Sequence, residues 1–254
     1  MILGRVKNHD APANLRDVRG LRTDDGRIVR RGVLYRSEAL RSRGIDSSGI
    51  DSSGIDGTDV AVWPPTTVID LRKPEEYIGP HPLDVDGTTV YPVPLGASLA
   101  PTLAGTAEDG FDLAFAYRHL AEDAAGEIAR IVGLVARATG PVLVHCTAGK
   151  DRTGIVVAVL LRAVGVRRSD IVTDYLRTEA NLPRLWAALH AAGVPSPRNR
   201  ALLGVQAEAL EAVLDAVDSA PCGAAGWLVA HGVDRADIDT LATRLLSAVY
   251  APAA

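Results

Sequence analysis

A short apolar run followed by a cysteine-containing turn constrains this chain more than any other feature. Val142-Leu143-Val144 follows a Gly-Pro helix stop and is apolar throughout, as in a central strand covered on both faces. The stretch from Thr153 to Ala163 is apolar nearly all round, which predicts a buried helix packed on a sheet. The chain is therefore expected to contain a central sheet with at least one helix packed on it.

The turn combines a nucleophile with an anion-binding backbone. It reads His145-Cys146-Thr147-Ala148-Gly149-Lys150-Asp151-Arg152-Thr153. The backbone N–H groups of such a turn converge on one point at the positive end of a helix and form a cradle for phosphate. The same field favours thiolate over thiol, so we expect Cys146 to attack phosphorus without a partner base. Arg152 offers a planar fork to two phosphoryl oxygens, a geometry that lysine lacks.

The other residues of the turn receive supporting roles. His145 is expected to orient the loop, and the hydroxyl of Thr153 to donate to the thiolate when Cys146 leaves the phosphocysteine. Gly149 allows a backbone turn that a side chain would block, and Lys150 adds a second cation at the rim. The predicted phosphate-binding residues are Thr147, Ala148, Gly149, Lys150, Asp151 and Arg152.

Further strands are predicted upstream of this motif and helices on both sides of it. The strand predictions are 33–36, 67–72 and 89–95, the last at a sheet edge because of its prolines. Two helices are predicted between residues 111 and 138, with a break near Gly126. The downstream helix predictions are 168–177, 183–192, 205–217, 223–230 and 234–249, with Ser169 and Asp234 as helix starts. Residues 44–57 repeat Gly-Ile-Asp-Ser-Ser, which suits a flexible loop.

The chain resembles the Cys-x5-Arg protein tyrosine phosphatases, and within them the bacterial phosphatases with a His-Cys-x-x-Gly-Lys-Asp-Arg-Thr loop. The resemblance covers nearly the whole chain. Beyond the loop it rests on Asn14–Asp17, Tyr35–Ser37, Asp70–Arg72 and Asp174–Leu176. It implies a tyrosine-phosphatase-like α/β fold with a mostly parallel central sheet flanked by helices, which we expect to form one domain over residues 1–254. In some relatives helices after the loop form a lid, which residues 183–217 are expected to supply here.

The sequence offers three candidates for the general acid, which gives a proton to the leaving oxygen. Asp151 lies in the loop, and the resemblance favours it because phosphatases with a similar Asp-Arg ending are thought to use that aspartate. Asp70 follows a strand and either reaches the same mouth or pairs with Arg72. Asp109 or Asp112 lies at the distance of a separate acid loop, without a Trp-Pro-Asp sequence. Outside the loop, Arg36 is expected either to bind phosphate or to cap a strand.

The resemblance favours protein phosphotyrosine as the substrate. Phosphoinositides are a wider target, because relatives with a lysine like Lys150 in the loop also tend to accept them. A small-molecule phosphatase acting on a nucleotide or sugar phosphate stays open, since the loop chemistry does not depend on what carries the phosphate. A rhodanese-like sulfurtransferase fits the position of Arg152 less well. The remaining alternative is a module that binds phosphate without catalysis. The presence of Cys146, Asp151 and Arg152 argues against it.

Composition argues against several other functions. The net charge of −4 disfavours a chain that coats nucleic acid or an acidic membrane surface. No segment approaches the roughly 18 apolar residues of a membrane span, so a cytoplasmic location is expected. His81, His119, His190 and His231 are scattered without metal-ligand spacing, and neither a metal nor another cofactor is expected. Cys222 is interpreted as a small buried hydrophobic residue that forms no disulfide with Cys146.

Overall fold

The computed structural model describes residues 12–40, 60, 62–96, 112–197 and 199–248. The repeat at 44–57 and the candidate acid Asp109 therefore lie outside the described residues. Among the helices that are described, none has the length and apolar character needed to cross a bilayer.

A five-stranded sheet forms the centre of the fold, in the spatial order β1–β2–β5–β3–β4. Its strands are β1 (Arg16–Asp17), β2 (Leu34–Ser37), β3 (Thr67–Asp70), β4 (Thr89–Pro92) and β5 (Val142–His145). Only the β1–β2 pair is antiparallel, which confirms a mostly parallel sheet. The apolar strand β5 is central and buried throughout, whereas the proline-containing β4 lies at the edge, as predicted.

Helices flank the sheet and account for most of the second half of the chain. They are α1 (Leu113–Asp123), α2 (Ala125–Arg137), α3 (Asp151–Ala163), α4 (Arg168–Leu176), α5 (Leu182–Ala191), α6 (Ala207–Asp218), α7 (Gly223–Ala230) and α8 (Arg235–Leu245). Asp234 caps α8 as predicted, by accepting from the N–H of Ala236. The Ser169 prediction is wrong, because α4 already begins at Arg168. The break between α1 and α2 falls at Ala124 rather than at Gly126.

The buried helix α3 holds the cysteine-containing loop against the sheet. Every residue of α3 except Arg162 is buried, and its apolar side chains join one cluster with the sheet and with α6. Within the segment 183–217, α6 belongs to this main core. Leu185 and Leu189 of α5 pack on Ala148 in a separate small cluster, and a lid formed by this segment stays a prediction.

Candidate active site

The loop between β5 and α3 turns its carbonyl groups away from its own centre. Ala39 N–H donates to the carbonyl of Thr147 at 3.1 Å. The side-chain amide of Asn14 donates to the carbonyls of Ala148 and Gly149 at 3.3 and 3.1 Å. In a planar trans peptide the N–H points opposite to the C=O. The N–H groups that follow these three carbonyls therefore point into the loop, as a phosphate cradle requires.

Gly149 is required at its position in the loop. Its φ of +65° lies in the left-handed region, and a Cβ there would lie 2.3 Å from the carbonyl carbon and oxygen of Ser37. Any side chain would push the loop away from the end of β2. From the sequence, Gly149 is expected for its backbone turn. The structure adds a second reason, the close approach of the loop to the backbone of Ser37.

Arg36 supports the loop from behind instead of binding phosphate or capping a strand. Its guanidinium donates to the carbonyl of Gly149 at 3.1 Å and to Asp174 at 2.9 Å. Arg16 pairs with the same carboxylate at 3.0 Å, and all three side chains are buried. Burial by itself raises the pKa of Asp174, but the two arginines outweigh it and lower the pKa. Both expectations for Arg36 are therefore wrong.

Arg152 is held by an acidic residue that the sequence analysis missed. Glu76 lies in a 3-10 turn, Pro74–Glu76, just after β3. Its two carboxylate oxygens each accept from a terminal amino group of Arg152 at 2.6 Å, and one also accepts from the hydroxyl of Thr147 at 2.6 Å. The signal that could have found it is an acidic turn after a parallel strand, because the carboxyl ends of such strands meet at one edge of the sheet.

The ion pair with Glu76 leaves one edge of the Arg152 guanidinium open to a ligand. Its Nε–H is buried and has no hydrogen-bond partner in the described part of the chain, and the same holds for the hydroxyl of Thr153. Burial lowers the pKa of Arg152, but hydrogen bonds to Glu76 and the charge of Cys146 outweigh this and raise the pKa. Cys146 itself is 2% exposed. The expected contact between Thr153 and the thiolate stays a prediction.

Asp151 is held by Tyr117, which is itself hydrogen-bonded to Tyr175 from a different helix. The hydroxyl of Tyr117 donates to its Oδ1 at 2.5 Å, and Tyr117 and Tyr175 share a hydrogen bond of 2.8 Å. Burial and the charge of Asp151 raise the pKa of Tyr117, so this phenol stays protonated and donates. The network fixes Asp151 at the start of α3, beside the loop. Its role as the general acid stays a prediction.

Two other candidate acids have different partners. Asp70 pairs with Arg72 through two oxygens, at 2.9 and 2.7 Å. Burial by itself raises the pKa of Asp70, but His145 and Arg72 outweigh it and lower the pKa. Asp70 is therefore a poor proton donor. Asp112 caps α1 by accepting from the N–H groups of Ala114 and Phe115. Of the candidates within the described residues, Asp151 is the one built into the loop.

Lys150 does not lie at the rim, which corrects the expectation of a second cation there. Its side chain is 1% exposed, and its ammonium donates to the carbonyls of Leu202 and Gly204 at 2.6 and 2.8 Å. It also lies 3.4 Å from Asp151. Lys150 thus ties the segment that follows α5 to the catalytic loop. Sequence spacing cannot reveal this, because the acceptors are backbone carbonyls some fifty residues away.

Cys222 is exposed, so its interpretation as a buried hydrophobic residue is wrong. It precedes α7 in the left-handed conformation, with a φ of +66°. Both cysteines are free thiols, in agreement with the absence of a disulfide between Cys146 and Cys222.

Three side chains that ligate metals elsewhere meet beside the loop. Atoms of Asp70, His81 and His145 lie within 4.8 Å of one another. The Nδ1 of His81, however, accepts the N–H of Leu83 at 3.0 Å, which places the proton of this imidazole on Nε2. A protonated Nε2 is a donor and not a ligand, and both oxygens of Asp70 already bind Arg72. The geometry is that of a hydrogen-bonded cluster.

A cleft of about 320 Å³ reaches the catalytic loop at Thr147 and Glu76. One wall is the segment after the 3-10 turn and the other is α5 with the residues that follow it. The apolar and aromatic side chains that line it include Leu40, Tyr77, Ile78, Pro80, Leu189 and Val194. Both charged side chains in its lining, Arg72 and Glu76, are engaged in ion pairs.

A buried cysteine follows a central parallel strand, the loop carbonyls face outward, and a paired arginine lies at the start of a buried helix. This arrangement is that of the Cys-x5-Arg loop expected from the sequence. The chain belongs to the tyrosine phosphatase family, whose model it matches over residues 8–247. This confirms the family that the loop resembles.

Curated relatives match shorter parts of the chain. It is 36% identical over 132 residues to the triple specificity protein phosphatase PtpB of Mycobacterium tuberculosis, covering 46% of this chain and 48% of that protein. It is 38% identical over 121 residues to a tyrosine-protein phosphatase of Nostoc commune, covering 44% of this chain and 41% of that protein. The matched segments thus span less than half of each relative.

Proposed function

We propose that this protein hydrolyses phosphate monoesters through a phosphocysteine on Cys146, with phosphotyrosine as its main substrate class. The observation that carries the proposal is the cradle itself. Its carbonyls are held outside by Asn14, Arg36 and Ala39, and the buried Nε–H of Arg152 has no partner within the described residues. Unpaired donors around a buried cysteine suit an anion that arrives with the substrate.

The mechanism follows from these groups. The thiolate of Cys146 attacks phosphorus, and the bond from phosphorus to the leaving oxygen breaks as Asp151 gives that oxygen a proton. Arg152 and the inward N–H groups stabilise the charge on the equatorial oxygens. In the second step water attacks the phosphocysteine, Asp151 accepts its proton, and phosphate leaves with Cys146 restored as a thiolate.

The cleft supports an aromatic carrier of the phosphate. Its apolar and aromatic lining suits a phenyl ring, and its charged lining residues are already neutralised in pairs. Phosphoinositides stay in the proposal as a broader target because the loop resembles that of phosphatases that accept them, and a matched relative named a triple specificity protein phosphatase supports a broad specificity in general. The buried Lys150 lends them no support. A phosphorylated protein in the cytoplasm is the partner that we propose.

The test is phosphate release from a matched panel of a phosphotyrosine peptide, a phosphoserine peptide, a phosphoinositide and nucleoside monophosphates. We expect the wild type to favour the phosphotyrosine peptide and Cys146→Ser to be inactive on all of them. Cys222→Ser is the matched control, because it removes the exposed cysteine, and should retain full activity. A wild type that binds phosphate without turning over any substrate would replace this proposal with a binding module.

A further inference from the structure

Two histidines meet directly behind the nucleophile. His145, wholly buried at the end of β5, has its Nε2 atom 3.0 Å from the Nε2 atom of His81. The rings are tilted by 40°, with centroids 5.0 Å apart. His81 comes from the segment between the 3-10 turn and β4, which is far from His145 in the sequence.

The hydrogen bonds assign the proton of each ring. The N–H of Leu83 donates to Nδ1 of His81, so the proton of His81 is on Nε2. His81 therefore donates to Nε2 of His145, which must be the acceptor. The proton of His145 is then on Nδ1, which lies 3.4 Å from the carbonyl oxygen of Cys146. A series of hydrogen bonds thus runs from the N–H of Leu83 through His81 and His145 to the carbonyl of Cys146.

The surroundings keep both rings neutral at pH 7. Burial is the main cause that lowers the pKa of both histidines, in His145 to about 3. The charge of Arg72 also lowers the pKa of both rings, whereas the charge of Asp70 raises it. Asp84 raises the pKa of His81 as well. A hydrogen bond between two imidazoles needs one neutral acceptor, which these surroundings supply.

His81 lies in the segment that forms one wall of the cleft, although its own side chain is not part of the lining. Tyr77, Ile78, Pro80 and Pro82, on either side of it, line the cleft that reaches Thr147. Ile78 is fully exposed there. A substrate that contacts this wall therefore contacts the segment that carries His81. The imidazole of His81 is in turn hydrogen-bonded to His145, the residue before Cys146.

We propose that His81 is a positioning residue for phosphoryl transfer: by fixing the tautomer of His145 it holds the peptide of Cys146 and links the cleft wall to the nucleophile. The inference rests on the proposed function and deepens it. His81 does not touch the reacting atoms, and it acts through His145 alone.

Two substitutions at one position separate this role from a structural one. In His81→Asn the amide oxygen replaces Nδ1 and keeps the acceptor for Leu83, but the donor to His145 is lost. In His81→Gln an amide N–H replaces Nε2 and keeps that donor. We expect His81→Asn to lower kcat on a phosphotyrosine peptide by about three- to tenfold, the value of one hydrogen bond, with KM changed less. His81→Gln should stay within about twofold of the wild type.

The tautomer is read directly from the ¹⁵N chemical shifts of His145 in each protein. The wild type and His81→Gln should show a proton on Nδ1 alone, and His81→Asn a mixture of tautomers. An unchanged tautomer in His81→Asn, or equal kcat in the two variants, would overturn the proposal. So would a stoichiometric metal ion removable by EDTA, because the metal would take the Nε2 lone pairs. A wild type without turnover would sink the proposed function while the ¹⁵N shifts still test the pair.

Discussion

The carboxylate of Glu76 receives both terminal amino groups of Arg152 at 2.6 Å, in a two-pronged ion pair of nearly buried side chains. The pair fixes the plane of the guanidinium and turns its Nε–H, which has no partner among the residues that the structure describes, away from Glu76. Glu76 thus determines which edge of Arg152 meets a phosphoryl group, even though its own charge repels that group.

Glu76→Gln should weaken catalysis because the fork loses its fixed orientation. We expect kcat/KM on a phosphotyrosine peptide to fall by about 10- to 100-fold. The free energy of unfolding of the substrate-free protein should fall by about 3–5 kcal/mol, since the buried Arg152 loses its paired carboxylate. Added orthovanadate should restore more stability in this variant than in the wild type. Glu75→Gln, an exposed neighbour, is the control. Equal kcat/KM in both variants would show that Glu76 does not orient the fork.

Asp151→Asn tests the proton donor. A poor leaving group needs the proton more than a good one, so turnover of phenyl phosphate should fall by about 10²–10⁴-fold and turnover of an activated aryl phosphate far less. The measurement is kcat for a series of aryl phosphates with graded leaving groups. Asp112→Asn, which alters the cap of α1, should show no dependence on the leaving group. Equal losses for all esters would rule out Asp151 as the acid.

Asp174→Asn tests the support behind the loop. Removal of its charge leaves the buried Arg16 and Arg36 without their paired carboxylate, so the free energy of unfolding should fall by about 3–5 kcal/mol. The matched control is Asp237→Asn, which breaks the more exposed pair with Arg137 and should cost about 1 kcal/mol or less. Chemical denaturation at pH 7 measures both. Similar losses in the two variants would mean that the buried network carries little of the stability.

Acid should destabilise the protein as soon as the pH falls below the usual pKa of histidine, 6.5. The pKa of His145 is lowered from its usual 6.5 to about 3, mainly by burial, so the unfolded chain takes up this proton first as the pH falls. The contribution of His145 is complete above pH 6.5 and is lost toward pH 3, at up to about 1.4 kcal/mol per pH unit. His81, whose pKa is also lowered, acts in the same direction.

This pH dependence is measured as the free energy of unfolding between pH 7 and pH 5. His145→Gln should flatten the slope, and His119→Gln, which alters an exposed ring, should leave it as in the wild type. A slope that survives in His145→Gln would assign the acid sensitivity to other groups.

Lys150→Met tests whether this lysine selects substrates. Its ammonium is occupied by the carbonyls of Leu202 and Gly204, so we expect activities on the phosphoinositide and on the phosphotyrosine peptide to fall by the same factor. Stability should drop by about 1–3 kcal/mol, because two buried acceptors lose their donor. The ratio of the two activities is the measurement. Selective loss of phosphoinositide turnover would instead place Lys150 in substrate recognition.

Local features of the chain predicted the catalytic loop and the elements around it. The apolar run in β5 and the all-round apolar helix α3 are patterns of adjacent residues, and a strand, loop and helix that adjoin in sequence must also adjoin in space. The edge position of β4 follows from its prolines, whereas the mostly parallel sheet was expected from the resemblance of the loop. Helix ends shifted by a few residues where a cap such as Asp112 competed with periodicity.

The partners of the loop were decided only by the tertiary structure. Arg152 and Glu76 are 76 residues apart, Arg36 and Asp174 are 138 apart, and His81 and His145 are 64 apart. These pairs exist because the sheet order places β2 and β3 on either side of β5, so that residues from distant segments meet at its end. A sequence shows which side chains carry charge, but burial and strand order determine which of them pair, and hence that Lys150 binds carbonyls while Glu76 orients the arginine.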